Sequence, residues 1–438
     1  MLWRCSSAAE RLRATLRPDG SRGGAIGSVP PITGVPNGLD PGVTVILMAI
    51  DRRKLARRAR RYWAIVIVIC TYFGFHSFML TGLAVMAPNL GLASLTVTIY
   101  MGLGILLDSP AASAIERFGL RRVIGTSGIL ILLVTIGLLI AGSGWWIVIF
   151  GTLYACCSSL IYIPALAHYA SMLGERQADG QRINVFIQRG GALAAGLFIT
   201  WALAAEQPRV LFVIVATTGL GILVAAWWLP GPSRDRHVTQ RVPLLRTIVY
   251  SVAAIGRSSV MARGALSASA LPVIFITTSS IFPLALPEFG AAIGVGLVMR
   301  ELIAMATATA FGHGSMRRTN REFAAAVLLA LIGISGALWI EQNWAVITGI
   351  ILTGPLISSA IVTSSLNTRM ASLSAAHPWA CFAGMGIASR TSGLLIPLVL
   401  SAALSTSRQA LEIVLVIVFM LIACGMLIGR QRQDGVPG

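Results

Sequence analysis

Six ionisable residues stand inside stretches otherwise apolar enough for oil: His76, Asp108, Arg189, Arg300, Glu301 and Arg390. Arg390 is central in GIASRTSGLLIPL and Arg300 in VGLVMRELIAM. A charge at the centre of a membrane helix costs about 2.5–3.5 kcal/mol on insertion scales, so such a residue is expected to face a cavity or a partner. A guanidinium offers a planar fork that gives one carboxylate two charge-assisted bonds. Three permanent cations against two acids leave excess positive charge, which suits an anion. Arg300, Arg390 and Arg189 are therefore the candidate substrate-binding residues, with Arg189 alternatively holding Asp108. Glu301, His76 and Asp108 are candidates for carrying a coupling proton or for serving as counter-charge and packing. Adjacent residues on a helix point about 100° apart, so Arg300 and Glu301 are not expected to face each other.

The elements that must hold these residues follow from composition. The chain has 438 residues, 56% hydrophobic and 11% charged, with a mean hydropathy of +0.80. A soluble domain carries about 25% charged residues. Apolar windows of roughly twenty residues, long enough to cross the bilayer as helix, recur from Tyr62 onward. Lipid supplies no partner for backbone polar groups, so such windows must be helical. Twelve spans are predicted, at 62–86, 91–113, 123–142, 144–168, 183–205, 209–230, 264–286, 290–312, 323–340, 344–366, 379–404 and 410–429. The expected fold is all-α: twelve transmembrane helices in two pseudo-symmetric six-helix bundles, 62–230 and 264–430, joined by a linker at 231–263 and ending in a tail at 431–438. Residues 1–61, rich in Gly, Pro, Ser and Arg, read as a disordered basic tail, and a start at Met48 is an alternative.

The distribution of charge reports topology. Of 34 Lys and Arg, 29 fall on the even-numbered side of these spans or in the N-terminal segment, and two, Arg209 and Arg408, fall on the other side. The positive-inside rule makes the crowded side cytoplasmic, with both termini there, in a cell inner or plasma membrane. That pattern removes the need for a nucleic-acid partner. The six cysteines have neither zinc-ligand nor redox spacing. No metal or cofactor is expected, and a monomer contacting lipid, a small-molecule substrate and a proton or counter-ion is.

The halves echo each other. AIERFGLRR ends at Arg122 and AFGHGSMRR ends 196 residues later at Arg318, while Arg189 in FIQRGGAL precedes Arg390 in IASRTSGL by 201. Ala112–Arg122, ASAIERFGLRR, resembles the loop signature between spans two and three of the major facilitator superfamily: Glu116 at the acidic position, then Arg117, Gly119, Arg121 and Arg122. Ala112 replaces the usual glycine, Glu replaces Asp, and Leu120 stands where a basic residue is common. The resemblance implies a secondary transporter working by alternating access, with this loop latching the cytoplasmic gate. Arg300 and Arg390, on spans eight and eleven, are similar in placement to the basic residues that the oxalate and monocarboxylate branches are implied to use on substrate carboxylates.

An organic anion, moved by an ion or substrate gradient, is the leading expectation. The rival within the same superfamily is a drug/proton antiporter. Span five, RGGALAAGLFITW, lacks that group's Gly-Pro ending, and span four lacks its arginine. A non-transporting sensor or assembly scaffold is the third reading. An intramembrane enzyme is not expected, since neither a Gly-x-Ser-x-Gly elbow nor His/Glu metal spacing occurs.

Overall fold

A computed structural model describes residues 41–77, 90–141, 145–173, 177–204, 210–231, 243–375 and 377–428. Expectations for 1–40, for the ends of several predicted spans and for most of the linker before Pro243 fall outside the described residues. The described residues are helical, without strands.

The helices are α1 (Pro41–Ser77), α2 (Leu90–Phe118), α3 (Leu120–Ala141), α4 (Trp145–Met172), α5 (Gln177–Ala204) and α6 (Val210–Trp228), then α7 (Leu244–Arg257). After it come α8 (Ser259–Ile276), α9 (Gly290–Thr307), α10 (Met316–Ile340), α11 (Asn343–Ile351), α12 (Gly354–Leu373), α13 (Pro378–Thr406) and α14 (Arg408–Ile428). Each predicted span overlaps a helix among the described residues. Among the described residues, nine helical stretches are long and apolar enough to cross a membrane, so the chain is a multi-pass membrane protein. The charges of α1 and α5 dilute their apolarity, and α6 supplies only a shorter apolar helix, Val215–Trp228.

Three local outcomes differ from the expectations. Helix starts at Pro41 rather than after residue 61, because DRRKLARRARR is built of residues with good helix propensity. The tenth span is broken into α11 and α12 at Leu352–Thr353, just before Gly354 and a first-turn Pro355 that cannot donate its backbone N–H. The seventh span passes through a π-helical turn at Thr277–Ile281 and a last turn at Phe282–Ala285. Π-turns inside α-helices are frequent at functional positions.

Among the described residues two large apolar cores form, with a smaller third cluster of Ala112, Ile163, Ala170, Trp379 and Phe382 where α2 and α4 meet α13. One joins α1, α2, α3, α4 and α6 around Tyr154, Tyr169 and Phe75, with a few residues of the second half at its edge. The other joins α8 to α14 around Phe282, Phe323 and Phe419, with Val185 of α5 inserted. Across the seam between halves, α2 packs on α13, and α5 packs on α9 and α12. Helix α7 lies against α2, α8 and α13.

Candidate functional site

The seam is where the buried charges meet. Arg390 stands near the middle of α13 and crosses to α2, where its Nε donates to Asp108 Oδ2 at 2.8 Å. Its Nη2 donates to Ser158 Oγ at 3.1 Å and Ser159 Oγ at 3.3 Å on α4. The guanidinium also lies 4.8 Å from the centre of the Tyr100 ring, a favourable cation–π position. Glycines make room for this crossing. A Cβ on Gly104 would collide with the Arg390 side chain, and one on Gly386 would come within 2.6 Å of Asp108 Oδ2.

The second cluster is its mirror. Arg189, midway along α5, crosses to α9, and its Nη1 lies 3.3 Å from Glu301 Oε2. The other carboxylate oxygen of Glu301 receives Arg300 Nη2 at 2.6 Å and Nε at 3.1 Å. Arg300 Nη1 donates at 2.6 Å to Thr278 Oγ1, inside the π-turn. Phe275 lies under both guanidiniums, 5.2 Å from Arg189 and 4.8 Å from Arg300, and Phe73 lies 5.3 Å from Arg189. Each half thus gives one arginine and one acid to the other: α5 to α9, and α13 to α2. The two arginines are those whose sequence contexts match at 201 residues.

This geometry departs from the sequence reading in two places. Arg300 and Glu301 do pair, because a long guanidinium arm folds back on its neighbour even though the two Cβ directions diverge. Arg189 holds Glu301, not Asp108, which belongs to Arg390. The count of cations stays in excess. Among the described residues, the buried ionisable Asp, Glu and Arg side chains are Asp108, Glu301, Arg189, Arg300, Arg390 and, in the first turns of α8, Arg263. Arg263 was read as a linker residue.

His76 joins a hydroxyl network that the sequence reading missed. Its Nδ1 is 2.5 Å from Tyr154 OH and 3.3 Å from Tyr100 OH. Tyr100 OH lies 3.1 Å from Ser158 Oγ and Tyr72 OH lies 2.7 Å from it. Ser158 in turn receives Arg390, so one hydrogen-bonded chain runs from His76 to the Arg390–Asp108 pair. Tyr72 stacks on Tyr162 at 5.6 Å. Four of the seven tyrosines therefore line one interior patch, and their positions inside apolar spans were the available signal.

The loop carrying Glu116, Arg117, Gly119, Arg121 and Arg122 is a tight reversal. Gly119 has φ +79 and its N–H donates to Ile115 O at 2.9 Å, a left-handed helix cap followed at once by α3. Arg121 stacks over Trp227 of α6 at 4.1 Å, and Arg117 over Phe118 at 4.8 Å. Arg122 is exposed, and the Glu116 side chain falls outside the described residues. In the corresponding loop of the second half, Gly312 and Gly314 also take positive φ, and Arg318 pairs with Glu322 at 2.8 Å. The seam is also tied at this basic end, where Arg182 Nε of α5 donates to Phe311 O at 2.7 Å.

Two sets of helices meeting across a charged seam, with loops of similar sequence in matching places, make a fold similar to that of a solved membrane transporter. The crystal structure of the human organic anion transporter MFSD10 (TETRAN) superposes with a TM-score of 0.65 at 13% identity, covering 84% of this chain and 99% of that one. No protein-family model matches the sequence, and neither does any curated protein.

Proposed function

We propose that this chain is a secondary active transporter that moves a small organic anion by alternating access. The carrying observation is that Arg189 and Arg300 share a single carboxylate, Glu301, inside the seam. An anion entering there would complete the charge balance that the protein leaves at plus one. Arg189 is the natural first contact. Its bond to Glu301 is the longest of the three buried pairs, and its Nε is without a partner among the described groups. Opening the seam between α5 and α9 would release Arg189 to cargo. Opening it between α2 and α13 would release Arg390, whose Nη1 is likewise unpartnered. The fold likeness to a protein described as an organic anion transporter supports this reading. We place the basic end and both termini in the cytoplasm, in an inner or plasma membrane, on the distribution of Lys and Arg.

The second reading, a drug/proton antiporter, draws on the aromatic patch of Phe73, Tyr72, Tyr100, Tyr154 and Tyr162, which suits a flat apolar cargo. Thermal unfolding of the purified protein, with monocarboxylates, dicarboxylates and aromatic cations, tests the two together. Carboxylates are expected to raise the melting temperature of the wild type and to lose that effect in Arg189→Gln. Stabilisation by aromatic cations alone, or an equal carboxylate effect in both proteins, would refute the anion reading. Uptake of the stabilising compound into proteoliposomes then separates a transporter from a scaffold.

A further inference from the structure

Helix α7 is short, yet it is set deep. Ser109 Oγ donates to Ser251 Oγ at 2.9 Å, and Ser109 is nine residues before the end of α2, about 13 Å along the helix. A Cβ on Gly384, six residues into α13, would come within 2.7 Å of Ser251 O, so the backbone of α7 rests on α13 about 9 Å from its start. The helix therefore straps the α2–α13 seam within two to three turns of the ends of both helices. Its outer face is apolar: Leu245, Val249 and Val252 are 74%, 61% and 51% exposed. At about 100° per residue they form one stripe. Arg246 and Arg257 stand about 110° round the helix, and Tyr250 and Ala254 lie a little further round.

Tyr250, Ala254 and Arg257 line a half-open cavity of about 400 Å³ whose other wall is made by the end of α12, the start of α13 and residues between them, among them His377 and Ala380. His377 stacks on Tyr250 at 5.2 Å. Arg257 is exposed at this cavity, and no acidic side chain among the described residues pairs with it. The surrounding end of the molecule is strongly basic, with Arg117, Arg121, Arg122, Arg317, Arg318, Arg321 and Arg369 against Glu116, Asp179 and Glu322.

We infer that this cavity is a binding site for an anionic phospholipid of the surrounding bilayer. Its phosphate is held by Arg257 beside the Tyr250–His377 stack, and its acyl chains leave the cavity past Arg257, on the flank of α7 between the cavity and the exposed face of Leu245, Val249 and Val252. Basic hollows between membrane helices are suited to anionic head groups. The site is separate from the central charges and does not depend on what cargo the chain carries.

Thermal unfolding of the full-length protein in detergent tests it, with added phosphatidylglycerol, phosphatidylcholine of the same chains, or glycerol phosphate. Phosphatidylglycerol is expected to stabilise the wild type at lower concentration than phosphatidylcholine does, with glycerol phosphate inactive. Arg257→Gln is expected to weaken the phosphatidylglycerol effect about fivefold, the worth of one basic residue at a membrane surface. Arg321→Gln, which removes the same charge from the same end outside the cavity, is expected to leave it unchanged. Equal action of the two lipids, equal weakening by both substitutions, or full activity of glycerol phosphate would each overturn the site. The wild-type lipid comparison reads without any variant, should Arg257→Gln fail to fold.

Discussion

Asp108→Asn isolates the energetic meaning of the seam. The substitution keeps the shape of the side chain and removes its charge, while Arg390 remains buried against Tyr100, Ser158 and Ser159. The two serine hydroxyls can accept from the guanidinium but cannot neutralise it. Breaking one partner of a buried ion pair costs about 3–5 kcal/mol, because a lone charge is left behind. Replacing both partners by neutral groups of similar shape costs far less. Asp108→Asn is thus expected to destabilise the folded protein by about 3 kcal/mol, and Arg390→Met, which strands Asp108, by a comparable amount. The double variant should recover at least about 2 kcal/mol of the summed loss, since residues in contact couple by 0.5–3 kcal/mol. Denaturant titration of the four proteins in one detergent supplies the cycle. Additive effects, with no recovery in the double variant, would refute the claim that this pair is a buried mutual neutralisation.

Gly104→Val should displace the Arg390 side chain, lowering stability by about 1–3 kcal/mol through overpacking and disturbing any ligand stabilisation at the central site; Gly102→Val, where nothing lies within 4 Å of the added Cβ, is the control. Gly119→Ala forces φ +79 on a residue with a side chain and should cost about 1 kcal/mol, read as a lower melting temperature. Arg182→Gln removes the bond to Phe311 O that ties the halves at the basic end. It should cost about 1.5–3 kcal/mol of closure there, seen as faster thiol labelling of a cysteine introduced at Ala178, which faces Gly312 across that seam.

The helical bundle was legible because a membrane helix has a length and a polarity that few other structures share, and the described part of each apolar window from Tyr62 onward is mostly helix. The central charges were legible for a related reason: their types are costly where they stand, so position alone marked Arg189, Arg300, Glu301 and Arg390. Their pairing was not legible. Which acid meets which arginine depends on helices hundreds of residues apart, and the Arg300–Glu301 contact depends on side-chain reach rather than on helical spacing. The interruption before α12 coincides with Thr353-Gly354-Pro355, but the stretch Asn343–Leu373 is apolar enough throughout that hydropathy alone does not mark it. The tyrosine network around His76 escaped for the same reason: a hydroxyl hardly alters the polarity of a window, yet four of them decide what the interior can hydrogen-bond.

The reciprocal bridges between α5 and α9 and between α13 and α2 have a bearing on ancestry. Exchange of one base for one acid in each direction is the contact that two identical subunits make about a two-fold axis. A solitary six-helix unit would leave both groups uncompensated in hydrocarbon, whereas a pair of such units would satisfy them at a stroke. The match is of helices rather than of positions, since Asp108 and Glu301 stand 193 residues apart while the two arginines stand 201 apart.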